Sequence, residues 1–533
     1  MSVRPTIFSS LSGSQAAGDV AGRSAGSWNR TGVAVLRLLV TTFVFAAVAV
    51  APSGQAAAAG SPQARVSGPS PYAACSAVSP GDTLYPNAEV EPDATANPAR
   101  PGNLIAVWQQ DRWANGGAHG LMAGYSFDGD RSWGRATLPF SRCAPNGAPY
   151  NRASDPAVSI GPDGTAYAIG LSFDQTTPRD AVTSAVSTDG GRSWTRLRSI
   201  THDTTNGLDK EWITADPTHP GTAYAVWDNT IVDAAGHFRG PAFFAKTTDH
   251  ARTWSAPIPI AATGRDQQTL GNQILVDPRT GRLYDSYAYY FCTCPSIPKI
   301  AYVTSDDGGH TWSRQHVVSD LLTVGVTEPG TGAPLRSGGF PVAAISATGR
   351  VYLTWQDSRF SGGSYDEIAL TTTSDGGRHW STPQRANTPT GRPAFTPAVA
   401  VNHSGDLAIS YYDVRRDNIH DTPFSTDYWA TTSTDGQHFS PARHLAGSFD
   451  ILSAPFARGF FLGDYEGLTA TGNRFIAIYA QTNCTGAICP ANPTDIYSTA
   501  FPATGRIPDY AGTTAGPRPD TPTFAGSTAP TSR

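Results

Sequence analysis

Short runs of apolar and β-branched residues, separated by turns that contain glycine or proline, recur along most of this chain. In one clear unit, residues 155–160, 165–171 and 181–187 form three such runs, and Gly161-Pro162-Asp163-Gly164 separates the first two. Runs of this length with closely spaced turn signals predict β-strands. Their number predicts an all-β protein built of small antiparallel sheets. Tyrosines hold one place in the second strand of consecutive units, at Tyr167, Tyr224, Tyr284 and Tyr352.

The turn that follows the third strand of each unit has a common sequence. It reads Ser or Thr, any residue, Asp, two positions that are mostly glycine, two further residues and then an aromatic residue. The distances between successive aspartates are 61, 60, 58, 68 and 60 residues, and a fixed period of this kind indicates a repeat architecture. The copies are Ser126–Trp133, Ser187–Trp194, Thr247–Trp254, Ser305–Trp312, Thr373–Trp380 and Ser433–Phe439, with Asp128, Asp189, Asp249, Asp307, Asp375 and Asp435 as their aspartates.

We interpret these turns as structural. An Asp side chain accepts hydrogen bonds from its own turn, and glycine adopts positive φ without steric cost. The aromatic residue offers a large apolar face to a neighbouring repeat. A calcium loop would need several more oxygen ligands and a terminal Glu, which these turns lack, so no metal and no cofactor is predicted.

The repeated turn resembles the Asp-box, or BNR repeat, of the sialidase-like β-propeller superfamily, here of a secreted bacterial type. The resemblance implies a β-propeller of four-stranded blades over residues 75–502. After the sixth box, residues 466–470, 474–479 and 494–499 repeat the first three strands without a box. We therefore expect seven blades, with six as the alternative. The segment 75–84 is expected to supply the missing outer strand, which would remove an exposed edge.

The two ends of the chain differ from the repeat region. Residues 33–50 form the only long apolar run, arginines precede and interrupt it, and small residues follow. This pattern predicts a signal peptide over residues 1–59 rather than a membrane anchor, and hence a protein secreted to the extracellular space. Residues 60–74 are predicted to be a linker. Residues 503–533, rich in Pro, Thr and Gly, are predicted to be a disordered tail.

Six cysteines fit an oxidising compartment. Cys484 and Cys489 lie in one loop and are expected to pair. Cys75 and Cys143 could tie the N-terminal segment to the first blade. Cys292 and Cys294 are so close together that a bond between them would be strained.

The overall charge argues against several classes of partner. The net charge is −5, and only 15% of the residues are charged. Neither a basic footprint for nucleic acid nor a polybasic membrane patch is present. A monomer with a carbohydrate ligand is expected, without nucleic acid and without a membrane once the signal peptide is removed.

Charged residues concentrate at one predicted face of the ring. Loops between strands two and three, and between blades, share the face opposite the boxes. An anion- or sugar-binding pocket with carboxylates for acid–base chemistry would use them. Acid and arginine residues end several second strands, at Asp111-Arg112, Asp357-Ser358-Arg359 and Asp413-Val414-Arg415-Arg416. They are more simply explained as salt bridges that tie neighbouring blades at the rim. The candidate catalytic residues are Asp464, Tyr465, Glu466, Asp209 and Glu211, and the candidate substrate-binding residues are Arg336, Arg458, Arg152 and Lys210.

The resemblance to sialidases implies three arginines that hold a substrate carboxylate, a Tyr–Glu nucleophile pair and an acid–base Asp. By position, the arginines could be Arg336, Arg392 and Arg458, and the pair Tyr465 with Glu466. Neighbours on a strand point to opposite faces, so that pair would need a bent backbone. The Phe-Arg-Ile-Pro signature of sialidases is missing before the first box. The expected function is a glycoside hydrolase acting on an acidic sugar, with a non-catalytic glycan- or protein-binding propeller and a polysaccharide lyase as alternatives.

Overall fold

The computed structural model describes residues 62–77, 81–291, 296–418, 420–421 and 423–503. Apart from two short 3₁₀ helices, Ser358–Ser361 and Ile451–Ser453, its regular structure is β-strand, which confirms the all-β prediction. No helix in these ranges has the length and apolar character needed to cross a membrane. The predicted signal peptide, most of the predicted tail, and Cys292 and Cys294 lie outside the described residues.

Consecutive strands pair antiparallel in groups, which we number in chain order. Group 1 contains β2 (Leu84–Ala96), β3 (Leu104–Trp113), β4 (Ala118–Ser126) and β5 (Gly134–Leu138). Group 2 contains β6 (Arg152–Ile160), β7 (Ala166–Phe173), β8 (Asp180–Ser187) and β9 (Thr195–Asp203). Group 3 contains β10 (Gly207–Ala215), β11 (Ala223–Val232), β13 (Ala242–Thr247) and β14 (Ile258–Ala261), with the short β12 (Phe238–Arg239) beside β11.

The second half of the chain repeats this pattern. Group 4 contains β15 (Gln267–Val276), β16 (Leu283–Phe291), β17 (Lys299–Ser305) and β18 (His316–Asp320). Group 5 contains β21 (Val342–Ile345), β22 (Val351–Asp357), β23 (Glu367–Thr373) and β24 (Gln384–Arg385). Group 6 contains β25 (Ala394–Val401), β26 (Leu407–Asp413), β27 (Ser425–Ser433) and β28 (Arg443–Asp450). Group 7 contains β30 (Gly467–Thr471), β31 (Arg474–Thr482) and β32 (Thr494–Pro502).

The first strand of each group contacts the first strand of the next. These inner strands are β2, β6, β10, β15, β21, β25 and β30, and β30 in turn contacts β2. Single residue pairs also link the neighbouring groups 7, 1 and 2 into one continuous sheet, through Ala88 with Thr494 and Ala118 with Ala153. The last group therefore lies against the first.

The outer edge of group 7 is covered by the N-terminal strand β1 (Gln63–Arg65), which pairs antiparallel with β32. This strand lies upstream of the segment 75–84 that was expected to pair there, so that expectation is wrong. The physical role is the predicted one, because β1 occupies what would otherwise be an open sheet edge. Both disulfides expected within the described residues, Cys75–Cys143 and Cys484–Cys489, are present.

The repeated turns have the hydrogen bonds that their sequence predicts. In the fourth copy, the Asp307 carboxylate accepts bonds from the backbone N–H of Thr311 at 2.8 Å, from the Thr311 hydroxyl at 2.6 Å and from the Ser305 hydroxyl at 2.8 Å. Gly308 and Gly309 both have positive φ, at 68° and 87°. In the other copies, the Asp carboxylate likewise accepts a hydrogen bond from a backbone N–H of its own turn.

The aromatic residue of each box packs against the preceding group. Trp254 of group 3 donates its indole N–H to Ser184 of β8 in group 2, at 3.1 Å. Trp133 of group 1 donates to Ser498 of β32 in group 7, at 3.2 Å. Both serines lie on the third strand of their group, so the contact between groups 7 and 1 repeats the contact between groups 2 and 3.

Replacing Asp307 by Ala is expected to lower the Tm at neutral pH by roughly 1–3 °C, because it removes the acceptor that organises an exposed turn. The hydroxyl and the backbone N–H of Thr311 hold the pKa of Asp307 well below its ordinary value. The stabilisation is thus present above the unfolded pKa, about 3.9, and is lost as the pH falls toward the folded pKa. Thermal melts of Asp307→Ala should approach the wild type below about pH 4. Asp306→Ala, whose carboxylate pairs with Arg282 at the surface, is the matched control.

Candidate functional site

The inner strands of five groups are interrupted near the end opposite the Asp-boxes. The register shifts between Val90 and Asp93, between Ser154 and Ala157, and at equivalent places in β10, β15 and β25. One residue in each interruption has positive φ: Glu91 (53°), Asp155 (50°), Lys210 (47°), Gly271 (68°) and Thr396 (46°). β-Bulges of this kind re-aim side chains and are frequent beside active sites. Three of the five bulge residues are charged.

Lys210 joins these charged residues in the interior. Its ammonium nitrogen lies 2.7 Å from Asp155 Oδ1, 2.7 Å from Asp464 Oδ2 and 3.2 Å from Glu91 Oε1. An ammonium group has three N–H donors, and three carboxyl groups use them. All four side chains are at least nine-tenths buried. Lys210 is therefore a clamp between acids from groups 1, 2 and 7 and has no donor left for a substrate.

Asp464 is also held by Arg336. Its oxygens lie 3.1 Å from Arg336 Nε and 2.5 Å from Arg336 Nη2, a bidentate arrangement. Both residues reach this point through a small sheet of β19 (Val326–Thr327), β20 (Pro334–Arg336) and β29 (Phe460–Phe461), in which β20 and β29 run parallel. This sheet is formed by the connections that lead into groups 5 and 7, so pairing between loops brings Arg336 to the carboxylate.

The surroundings of the clustered acids shift the pKa values of Glu91 and Asp464 in opposite directions. Burial, together with the charges of Asp155 and Asp464, raises the pKa of Glu91 to about 7, against the opposing effect of Lys210. Burial also acts to raise the pKa of Asp464, but Arg336 and Lys210 overcome it and hold that pKa far below its ordinary range. Near neutral pH the cluster therefore pairs a permanent carboxylate with a neighbouring acid that can give up a proton. Such a split is the arrangement that acid–base chemistry requires.

Two arginines lie over the ring of Phe461 beside this cluster, and a third, Arg458, lies nearby in the chain. The guanidinium carbon of Arg336 lies 4.3 Å from the ring centre, and that of Arg112 lies 5.0 Å from it. Burial and the neighbouring Arg336 lower the pKa of Arg112 to about 10, and its Nε has no hydrogen-bond partner within the described ranges. Arg458, three positions before Phe461, is exposed and has no hydrogen bond or ion pair with the residues that the structure describes. The arginines thus supply positive charge and unused donors at the cluster.

The structure brings several of the sequence-predicted residues together and separates others. Asp464, Arg336 and Lys210 meet in the cluster, and Asp209 lies half-buried next to Lys210, where burial and Asp155 raise its pKa to about 6. Glu211 is buried, and neither of its oxygens has a hydrogen-bond partner among the described residues. Burial and the charge of Asp155 raise the pKa of Glu211 well above its ordinary value.

Tyr465 and Glu466 have separate partners. The Tyr465 hydroxyl donates to the Pro156 carbonyl at 3.0 Å, and the Glu466 carboxyl accepts from the backbone N–H of Ala480 at 3.1 Å. Glu466 lines a cavity of about 180 Å³ along the inner strands, with Asp93, Trp212 and Thr214. The Tyr465 and Glu466 side chains form no hydrogen bond with each other that would support the pair implied by the sialidase resemblance.

Arg152 belongs to a different contact set. Its guanidinium lies 2.9 Å from Asp82 and over the ring of Trp113, and it is fully buried. These contacts are structural, so they do not support the predicted role in substrate binding. Arg359 with Asp357, and Arg415 with Asp413, do form salt bridges, but each bridge lies within one strand end and does not itself join two groups.

The pair Asp111-Arg112 differs from the other two. Asp111 accepts from Ser70 and from the backbone N–H of Asn87, whereas Arg112 turns toward Gln109 and Phe461. The salt-bridge interpretation is therefore wrong for this pair.

Sequence reasoning missed Glu91, Arg112 and Phe461. One signal was available for Glu91, because Glu91-Pro92 and Asp155-Pro156 hold the same place in consecutive inner strands. Nothing in the sequence distinguished Arg112 from the strand-end arginines that form salt bridges.

No protein-family model matches the sequence, and a search of curated proteins gives no match. Solved structures with a similar course of the chain include a Dyadobacter fermentans protein of unknown function, with 14% identity over 79% of this chain and 99% of that one, and a TM-score of 0.43. A Penicillium chrysogenum α-L-arabinanase complexed with arabinobiose has 10% identity over 80% and 99%, with a TM-score of 0.40. A Hadza microbial sialidase has 15% identity over 75% and 76%, with a TM-score of 0.43. Similarity at this level assigns no function to the chain.

Proposed function

We propose that this protein is a secreted, seven-bladed Asp-box propeller that binds an acidic glycan at the arginine-lined cluster and hydrolyses it. Seven blades are supported by the cyclic contacts of the seven inner strands. They are supported further by the identical Trp-to-Ser contacts between groups 2 and 3 and between groups 7 and 1. In this arrangement β1 is the outer strand of the last blade. Secretion is supported by the apolar run at residues 33–50 and by the two disulfides.

The observation that carries the hydrolase proposal is the position of Glu91 next to Asp464. The backbone N–H of Asp464 donates to Glu91 Oε1 at 3.2 Å, and one Lys210 nitrogen binds both carboxyl groups. The two carboxyl groups are therefore near neighbours, which is compatible with the short carboxyl separation, roughly 5–5.5 Å, of a retaining glycosidase. In this scheme Glu91, protonated below about pH 7, donates a proton to the leaving oxygen. Asp464, an ionised carboxylate, stabilises or attacks the sugar carbon as the bond from that carbon to the leaving oxygen breaks. Water, which gives its proton to Glu91, then attacks the same carbon and releases the sugar from Asp464. Arg336 and Arg458 hold the anionic group of the sugar.

Binding without catalysis is the second candidate. It is favoured by the saturation of Lys210 and by the burial of Glu91, whose exposed fraction is 1%. In that case the carboxylates hold the blades together, and only the exposed guanidinium of Arg458 and the half-buried one of Arg336 meet a glycan. Asp209, half-buried at the same end, is a further candidate acid in the hydrolase scheme.

Arg458→Ala is expected to weaken binding of acidic glycans roughly tenfold or more, the effect of losing a charged hydrogen bond, with the Tm nearly unchanged. A glycan array on the purified protein, followed by Kd measurements and a sugar-release assay, checks this. Arg252→Ala, an exposed arginine in an Asp-box turn, is the control. Equal affinity for acidic and neutral glycans would exclude the anionic-sugar proposal. Tight acidic binding without any sugar release would favour the non-catalytic alternative.

A further inference from the structure

Two buried carboxyl groups between groups 3 and 4 have no cationic partner within the described residues. Asp228 on β11 is 4% exposed and Asp285 on β16 is fully buried. Asp285 accepts no hydrogen bond of normal geometry on either oxygen, and Asp228 Oδ2 has none. A buried carboxylate without a partner is strongly unfavourable, so something must compensate for this charge.

The alternation of the strands places these groups in one interface. Asp285 shares a face of β16 with Leu283 and Tyr287, and Asp228 shares a face of β11 with Tyr224 and Val226. Those four apolar residues belong to one packed cluster between groups 3 and 4. The two carboxyl groups are also close enough for the charge of Asp285 to act on Asp228.

A third residue adds an oxygen at the same place. The Asn272 side chain, 1% exposed, donates through Nδ2 to Asp228 Oδ1 at 2.7 Å, which directs its amide toward the acids. Its own Oδ1 has no hydrogen-bond partner in the described part of the chain. Asn272 lies in the bulge of β15. The backbone N–H of the next residue, Gln273, interacts with the Asp285 carboxyl group. Four oxygens that accept no hydrogen bond of normal geometry from the described residues, from Asp228, Asp285 and Asn272, thus belong to one buried interface.

We propose that a hard cation of the calcium type binds between groups 3 and 4, with Asp228, Asp285 and Asn272 as its ligands. Carboxylate and amide oxygens are the donors that such ions prefer, and the set contains no nitrogen or sulfur donor for a soft metal. Calcium tolerates irregular coordination and mixed carboxylate and amide donors better than magnesium does. The set has only two carboxylates, and no group of three or more His, Cys, Asp or Glu suited to a metal occurs in the described ranges. One divalent ion neutralises both acids and joins the two blades.

The test uses the purified full chain, dialysed against a chelator and then supplied with calcium or magnesium. Calcium should bind at one ion per chain by elemental analysis, and should raise the Tm on the order of 5 °C, more than magnesium does. Asp285→Asn should abolish both effects. Asn272→Ala, which keeps both charges, should weaken calcium binding roughly tenfold or more. Ser286→Ala, next to Asp285 but on the opposite face of β16, should behave like the wild type.

Two results would overturn the cation site. One is a wild-type chain that binds no calcium and has the same Tm with and without it, in which case the acids are neutralised by protons. The other is calcium binding that persists unchanged in Asn272→Ala, which would move the ion elsewhere. The second comparison remains decisive if Asp285→Asn fails to fold.

Discussion

Replacing Lys210 by Met is expected to lower the free energy of unfolding by about 3–5 kcal/mol, because the change leaves buried carboxyl groups without their common partner. The three acids come from groups 1, 2 and 7, and the lysine from group 3, so the substitution weakens contacts among four parts of the ring. Chemical denaturation followed by tryptophan fluorescence measures the loss.

The chain offers a matched control for this substitution. Lys299 pairs with Asp320 at the surface, where both side chains are partly exposed. Lys299→Met should cost less than about 1 kcal/mol. Equal losses for the two lysine variants would show that the buried cluster contributes no more than a surface pair.

Glu91→Gln and Asp464→Asn are expected to reduce sugar release about 10²–10⁴-fold, the usual effect of losing a positioned acid or base. In the proposed hydrolysis Glu91 acts in its protonated form, and burial raises its pKa to about 7. Activity should therefore be retained below this pH and fall as the pH rises through it. Asp464, with its pKa held far below the usual range, adds no further change near neutrality. A pH profile of kcat/KM, on the glycan selected by the array, measures this fall in activity.

Glu466→Gln distinguishes this scheme from the one implied by the sialidase resemblance. Glu466 accepts a hydrogen bond from the Ala480 backbone and lines the cavity along the inner strands, of which Lys210 is not a lining residue. We expect the activity of this variant to fall as the pH rises through about 7, as in the wild type. If Glu466→Gln abolished sugar release and Glu91→Gln did not, the catalytic residues would be Tyr465 and Glu466 instead.

Local sequence was sufficient for every feature that a few neighbouring residues control. The Asp-box turns form because the aspartate, the hydroxyl residues and the glycines lie within eight positions, and the bonds of Asp307 follow from that spacing. The short strands, the all-β class and the disulfide within the loop of Cys484 have the same local origin. Asp464, Arg336 and Lys210 were identified because charge is rare in this chain and connections between repeats share one face.

Only the tertiary structure decided how those residues are used. Lys210 lies 119 positions from Glu91 and 254 from Asp464. Bulges redirect the side chains of Glu91 and Lys210, and pairing between β20 and β29 positions Asp464 beside them. Alternation along a regular strand does not predict such a bulge. The Arg112 side chain packs on Phe461 and forms no ion pair with its neighbour Asp111. The strand that covers the edge of β32 is β1 and not a later segment. Each of these outcomes depends on which distant strands and loops become neighbours, and that is settled by packing around the ring rather than by the local sequence.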